Sequence, residues 1–210
     1  MTPALSPLLV VTDRTGSTRP LVERVVASLS GGARWIWFRD RDLDTAARRS
    51  LAEAVMRAVR MAGARLVVGG DVMLARAVGA DGVHLGGHAT FEDITTARRD
   101  LPPGCLIGVS AHSPDDVARA EQAGVDYATL SPIFATPSKP GYGPALGPDA
   151  LRSRRDLRIP VFALGGITSE NLHSCRDAGF AGIVVMGGVM RADDPSAAVR
   201  AYLKAWDGRG

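Results

Sequence analysis

The sequence predicts a single-domain α/β fold over residues 1–210, a closed (β/α)8 barrel. Three observations carry this. Short apolar runs alternate with helical patterns, and that alternation means a parallel sheet. The number of such strand–helix pairs comes to eight, which favours closure over an open doubly wound sheet. Composition never shifts along the chain, and units of about 26 residues make a compact barrel with little room for a second domain.

The elements follow in order. LLVVTD (8–13) is strand-like, and PLVERVVASLSGGA (20–33) is helical and ends on a glycine pair. RWIWFRD (34–40) is the second strand. DTAARRSLAEAVMRAVRMAGA (44–64) carries apolar residues at three- and four-residue spacing, the period of a helix face. RLVVGG (65–70) is a strand, and the short helix DVMLARAVGA ends near Gly79. GVHLGG (82–87) is the fourth strand. TFEDITTARRDL (90–101) opens on Thr90 with acids in its first turn, as helix starts do.

CLIGVSAH (105–112) is the fifth strand, and SPDDVARAEQAGV starts a helix with Ser113 as cap and Pro114 at the first helical position. DYATLSPIF (126–134) is a strand, followed by the Pro/Gly-rich loop ATPSKPGYGPALG (135–147) and a helix over 147–157. IPVFALGGI (159–167) is the seventh strand. A helix over 168–180 is capped by Thr168 or Ser169. AGIVVMGGVM (181–190) reads as the last strand, and residues 193–208 form the closing helix.

The chain is 46% hydrophobic, 22% charged and 5% aromatic, which suits a soluble globular enzyme. Its formal net charge is only +3, and no Lys/Arg run is interleaved with aromatics, so nucleic acid is not an expected partner. Cys105 and Cys175 are isolated, with no metal-ligand spacing, which suggests a reduced, cytoplasmic setting. The N-terminal stretch lacks the features of a secretory signal, and no apolar run reaches the ~18 residues that a membrane span needs.

Two glycine pairs, Gly165-Gly166 and Gly187-Gly188, stand at the ends of the seventh and eighth strands. Glycine weakens a strand interior, so the pairs need a reason. In this fold a phosphate site commonly forms from the loops after those two strands. Backbone N–H groups reach an anion where side chains do not block them, and a short helix N-terminus adds a favourable dipole. The spacing therefore predicts a phosphate monoester held by the amides of Gly165, Gly166, Gly187 and Gly188. The bland alternative is that the glycines only make tight turns.

Other strand ends supply polar groups to the same rim: Asp13; Arg39, Asp40 and Arg41; Asp71; Ser110 and His112; Ser131, Thr136, Ser138 and Lys139. Lys139 lies on a loop that Gly141 and Gly143 make flexible enough for a lid. His84 lies inside an apolar strand and is expected to pack within the barrel, His88 just beyond it has no decided role, and His173 is expected at the surface. So many functional groups at one rim make a site the better reading.

LLVVTDR, FRDR, AVGADGVHLGG, LIGVSAHS, DYATLSPIFATPSKPG, IPVFALGGI and GIVVMGGVM, in that order, resemble the thiamin phosphate synthase/TenI family over residues 8–190. The resemblance implies a thiazole phosphate ligand at the glycine pairs. It implies one of two activities. The synthase joins a hydroxymethylpyrimidine pyrophosphate to the thiazole phosphate, releases pyrophosphate and needs Mg²⁺. The TenI branch is a metal-free thiazole tautomerase. Family members are often oligomers, so a homo-oligomer is possible.

Departures from the synthase pattern decide the expectation. Synthases carry Q-x-R-[ED]-K after the second strand, where this chain has Trp37, Arg39 and Arg41 in place of Gln, Arg and Lys. The metal-binding Asp after the third strand aligns with the Gly69-Gly70 pair, and the one after the fourth with Gly86-Gly87-His88-Ala89. Mg²⁺ is usually bound through one or two carboxylates plus substrate phosphates, and both carboxylates are missing. Asp71 is one residue off. Without the metal, only Arg39, Arg41 and Lys139 would neutralise a pyrophosphate.

The expectation is therefore a tautomerase without cofactor. His112 would be its proton-transfer group, since an imidazole can both take and return a proton near neutrality. Arg39 would orient the substrate, and Arg41, Ser110, Ser131, Thr136, Ser138 and Lys139 would bind it. The alternatives are a synthase dependent on Mg²⁺ and a non-catalytic protein that senses thiazole phosphate. Trp37 either fills the pyrimidine's space or belongs to the core.

Overall fold

The computed structural model describes residues 5–136, 144–152, 154 and 156–208. Eight short strands run through it: β1 (Leu8–Val11), β2 (Trp35–Phe38), β3 (Arg65–Gly69), β4 (Gly82–Leu85), β5 (Leu106–Ala111), β6 (Tyr127–Leu130), β7 (Val161–Leu164) and β8 (Gly182–Val185). All pair in parallel with their chain neighbours. β8 returns to β1 with Leu9 opposite Val184, which closes the barrel. This is the TIM-barrel architecture that the strand count predicts.

Strand alternation explains why these runs are apolar throughout. Leu9, Trp35, Val67, Leu106, Tyr127 and Phe162 point inward and fill the barrel. Trp35 meets Tyr127 and Phe162 edge-on at 4.8 and 5.2 Å between ring centroids. Leu8, Val10, Ile36, Phe38, Leu66 and Val68 point outward into the layer beneath the helices. A strand buried on both faces has no polar alternation to show.

The helices are α1 (Leu21–Ser30), α2 (Thr45–Met61), α3 (Val72–Val78), α4 (Phe91–Asp100), α5 (Pro114–Gln122), α6 (Leu172–Asp177), α7 (Gly187–Met190) and α8 (Pro195–Asp207). Their starts match the expected chemistry. Thr90 and Asp93 form a reciprocal capping box on α4, and the Ser113 hydroxyl accepts from the Asp116 amide ahead of Pro114 on α5. No helix among the described residues is long and apolar enough to cross a membrane.

The strands expected over 126–134 and 159–167 are shorter, Tyr127–Leu130 and Val161–Leu164, and three further elements differ from expectation. The helix expected over 147–157 is a 3-10 turn at Pro148–Leu151, because residues 152–156 (RSRRD) carry no apolar side chain to extend a docked helix. α6 starts at Leu172, not near Thr168. Asn171 accepts from the Thr168 amide and donates to the Gly166 carbonyl, both at 2.9 Å, and this holds the preceding residues out of the helix. The strand expected over 181–190 ends at Val185, and its glycine pair opens the single turn of α7.

Candidate active site

The C-terminal strand ends form one rim, and its two sides differ in chemistry. One side is cationic. Thr12, just past β1, is buried and donates to Asp40 Oδ2 at 2.5 Å. Asp40 Oδ1 accepts from the Arg14 amide at 2.8 Å. Asp40 therefore braces the β1 and β2 ends. Arg39, exposed beside it, reaches across the mouth until its Nη1 lies 3.7 Å from Met186 Sδ, beyond β8.

Arg41 is also exposed and stands over β3's end. A Cβ built on Gly70 would lie 2.6 Å from Arg41 Nη2. Gly70 has φ of +65°, where a side chain is strained in any case. The guanidinium therefore covers the place where the family pattern puts a metal-binding carboxylate. Burial, then the charges of Arg39 and Arg48, push the Arg41 proton affinity down.

Asp71, the one acid near that position, is already engaged. Oδ1 caps α3 by accepting from the Leu74 amide at 2.8 Å. Oδ2 pairs with Arg48 Nη1 at 2.6 Å. Arg48 also donates to the carbonyls of Asp40 and Gly69 at 2.9 and 3.0 Å. Sequence reading missed Arg48. It lies one turn into α2, and only the helix's rotation against the barrel brings it back to the rim.

These residues do not fit a carboxylate-held Mg²⁺. Position 70 is glycine beneath an arginine, position 89 is alanine, and Asp71 is bound to Arg48 and to α3. Among the described residues no group of three or more His, Cys, Asp or Glu side chains could hold a metal ion.

Below the rim, His84 is fully buried, as its apolar strand predicts. Nδ1 lies 3.0 Å from the Tyr127 hydroxyl and Nε2 3.0 Å from the Ser110 hydroxyl. Burial, reinforced by the charge of Arg41, pushes its pKa down to about 3, so the ring is neutral at physiological pH. Trp37 lies against this ring at 3.9 Å between centroids and is itself buried, which makes it a core residue. Ser110, expected at the substrate, thus has its hydroxyl on a buried histidine.

His112 follows β5 and is half-buried. Its Nδ1 lies 3.0 Å from the Ser131 carbonyl, which can only accept, so Nδ1 carries a proton. The Nε2 edge rests on β4's end: a Cβ on Gly87 would lie 3.1 Å from it. Ser131 is therefore tied to His112 through its backbone. Thr136 is half-buried at the end of the described part of the next loop. Ser138, Lys139, Gly141 and Gly143 lie outside the described residues. His88 and His173 are exposed.

The other side of the rim holds the glycines. Gly165 and Gly166 have φ of +100° and +64°. A Cβ on Gly166 would lie 2.5 Å from the Ala135 carbonyl oxygen, and one on Gly165 3.0 Å from Pro132 Cα. A Cβ on Gly188 would lie 2.2 Å from Tyr202 Oη. Three of the four glycines thus have a packing reason inside the chain. Gly187 does not: its nearest neighbour would be Arg191 Cδ at 3.7 Å. It starts α7, where the first amides have no intrahelical acceptor. Tyr202 was invisible to sequence reading because it comes from α8.

A family model described as thiamine monophosphate synthase matches residues 8–189. The chain belongs to this family. A thiamine-phosphate synthase from Methanoculleus marisnigri is 41% identical over 197 residues, covering 92% of this chain and 92% of the relative. One from Roseiflexus castenholzii is 39% identical over 194 residues, covering 91% and 84%. A solved thiamine phosphate pyrophosphorylase from Pyrococcus furiosus superposes with a TM-score of 0.85 at 32% identity, covering 96% of this chain and 95% of that one.

Within the thiamine monophosphate synthase family, these matches correct the expected activity. The tautomerase assignment rested on two missing carboxylates, yet the curated relatives that match nearly end to end are named synthases. The physical reason is plain. Lost metal ligands bear on how a diphosphate's charge is met, not on which bond the enzyme makes. The proton-transfer role of His112 falls with that assignment.

Proposed function

We propose that this chain is a thiamin phosphate synthase. It joins hydroxymethylpyrimidine diphosphate to thiazole phosphate and releases pyrophosphate. The observation that carries this is the near full-length similarity to proteins named for that activity, at about 40% identity. The two-sided rim supports it, because the reaction brings together two phosphorylated substrates that must be held apart by their anionic ends.

In this reading the amides at Gly165, Gly166, Gly187 and Gly188 hold the thiazole phosphate. The start of α7 and the open face of Gly187 are suited to an anion. Arg39 and Arg41 take the diphosphate at the β2 and β3 ends, with Arg39 reaching toward Met186 beside the glycines. The thiazole nitrogen's lone pair forms the new bond to the pyrimidine methylene carbon. The carbon–oxygen bond breaks, and its electron pair leaves with the diphosphate. No proton leaves carbon, so no base is needed there. His112, fixed by the Ser131 carbonyl, serves with Ser131 and Thr136 to position the substrates between the two anion sites. Aligned reactants and stabilised leaving-group charge are the main sources of rate here.

Complementation tests the proposal. Expressed in a bacterial strain that lacks its own thiamin phosphate synthase, the chain restores growth without added thiamin. Well-folded, abundant protein without growth would refute it and leave a thiazole phosphate-binding protein.

A further inference from the structure

The guanidinium groups of Arg41 and Arg48 meet at the end of β3, over Gly70 and on the Gly69 carbonyl, and the charge of Arg39, which reaches toward Met186, acts on Arg41 as well. Among the described residues only Arg48 of the three has an ion pair, with Asp71. Arg41 has no hydrogen-bond or ion-pair partner among the described residues. Arg39 has only the weak contact to Met186 Sδ among those residues. Cations gathered without counter-charge repel one another, and a polyanion relieves that repulsion. Arginine is well suited to bind one, because it stays charged, is weakly hydrated, and offers forked donors that match phosphate oxygens.

The seat of Arg41 adds a second observation. Its guanidinium Nη2 lies 2.6 Å from where a Cβ on residue 70 would be, and the φ of +65° there favours glycine in any case. A carboxylate at 70 would pair with this arginine and cancel it. The arginine's charge thus lies beside the position where a carboxylate would otherwise hold a metal.

We propose that Arg41, seated over Gly70 and joined by Arg39, binds the substrate's diphosphate directly, without a divalent cation. This rests on the synthase reading for the identity of the diphosphate ester. The charge that develops on the leaving diphosphate is met by these two guanidinium groups.

Calorimetry with inorganic pyrophosphate as the probe tests this, with the protein stripped by chelator and then resupplied with Mg²⁺. Pyrophosphate binds in chelator with an affinity close to that with Mg²⁺. Arg41→Ala weakens metal-free binding about 10- to 100-fold, the scale of a lost charge-assisted contact, and Arg41→Lys recovers part of it. Arg41 is exposed, so melting curves of both variants should match the unaltered protein. Binding that requires Mg²⁺, or metal-free binding that ignores Arg41→Ala, would overturn the proposal. Thiamin phosphate formation read alongside separates the two claims. Product formed only with Mg²⁺ sinks this inference and leaves the synthase reading standing. Metal-free pyrophosphate binding through Arg41, with no product under any condition, sinks the synthase reading and leaves the anion site.

Discussion

Asp71 decides between two accounts of the rim, and replacing it separates them. The structure gives this carboxylate two structural roles, the cap of α3 at 2.8 Å and the pair with Arg48 at 2.6 Å. Losing an N-cap acid to alanine costs about 1 kcal/mol. The ion pair is worth less than its short distance suggests, because the Asp71 side chain is 34% exposed and solvent screens it. Up to about 1 kcal/mol is a fair allowance. Asp71→Ala should then lose about 1–2 kcal/mol, which for a domain this size lowers Tm by about 2–8 °C. Asp71→Asn keeps a good capping oxygen and should lose less than half of that. Differential scanning calorimetry measures both, and thiamin phosphate formation at a temperature well below either Tm measures turnover. The expected result is reduced stability with turnover retained. Unchanged Tm together with lost, metal-dependent turnover would make Asp71 a metal ligand and refute the reasoning.

Two other outcomes follow from buried contacts. Alanine at Gly188 meets Tyr202 Oη at 2.2 Å, and that hydroxyl donates to the Ile167 carbonyl at 3.2 Å. Gly188→Ala should cost about 1–3 kcal/mol, with most of the loss relieved in a Tyr202→Phe background. Gly187→Ala has no such neighbour and should keep its stability while weakening thiazole phosphate binding in calorimetry; equal destabilisation by both alanines would contradict the packing described. His84 predicts a pH dependence. Its folded pKa of about 3 lies below its unfolded value of about 6.5, so as pH falls through that window the unfolded chain takes up a proton that the folded chain refuses. Stability is therefore fully present above the window and lost on acidification, by up to about 1.4 kcal/mol per pH unit. Urea unfolding of the unaltered protein and His84→Gln between pH 6 and 4 checks this; parallel profiles would contradict it.

The fold was legible because its signals are local and repeated. Apolar runs such as LLVV and WIWF end at turn and cap chemistry, and eight of them fix the architecture. The C-terminal rim was legible for the same reason: strand ends can be counted. What sequence could not place were residues that reach the rim from helices. Arg48 comes from α2, Arg191 pairs with Asp13 from the end of α7, and Tyr202 backs Gly188 from α8. Their roles depend on how each helix is rotated against the barrel. The glycine pairs illustrate a mixed case. Their positions were correctly seen as places of close approach, yet at Gly165, Gly166 and Gly188 the approaching atoms are the chain's own. The activity was misread because absent carboxylates were weighed as evidence about the reaction, when Arg41 over Gly70 offers another way to meet the same charge.

The most direct test of the central claim is to mix the purified protein with hydroxymethylpyrimidine diphosphate and thiazole phosphate and follow both products. Thiamin phosphate and pyrophosphate should appear in equal amounts. No thiamin phosphate, with or without Mg²⁺, from protein that still binds the thiazole phosphate would contradict it.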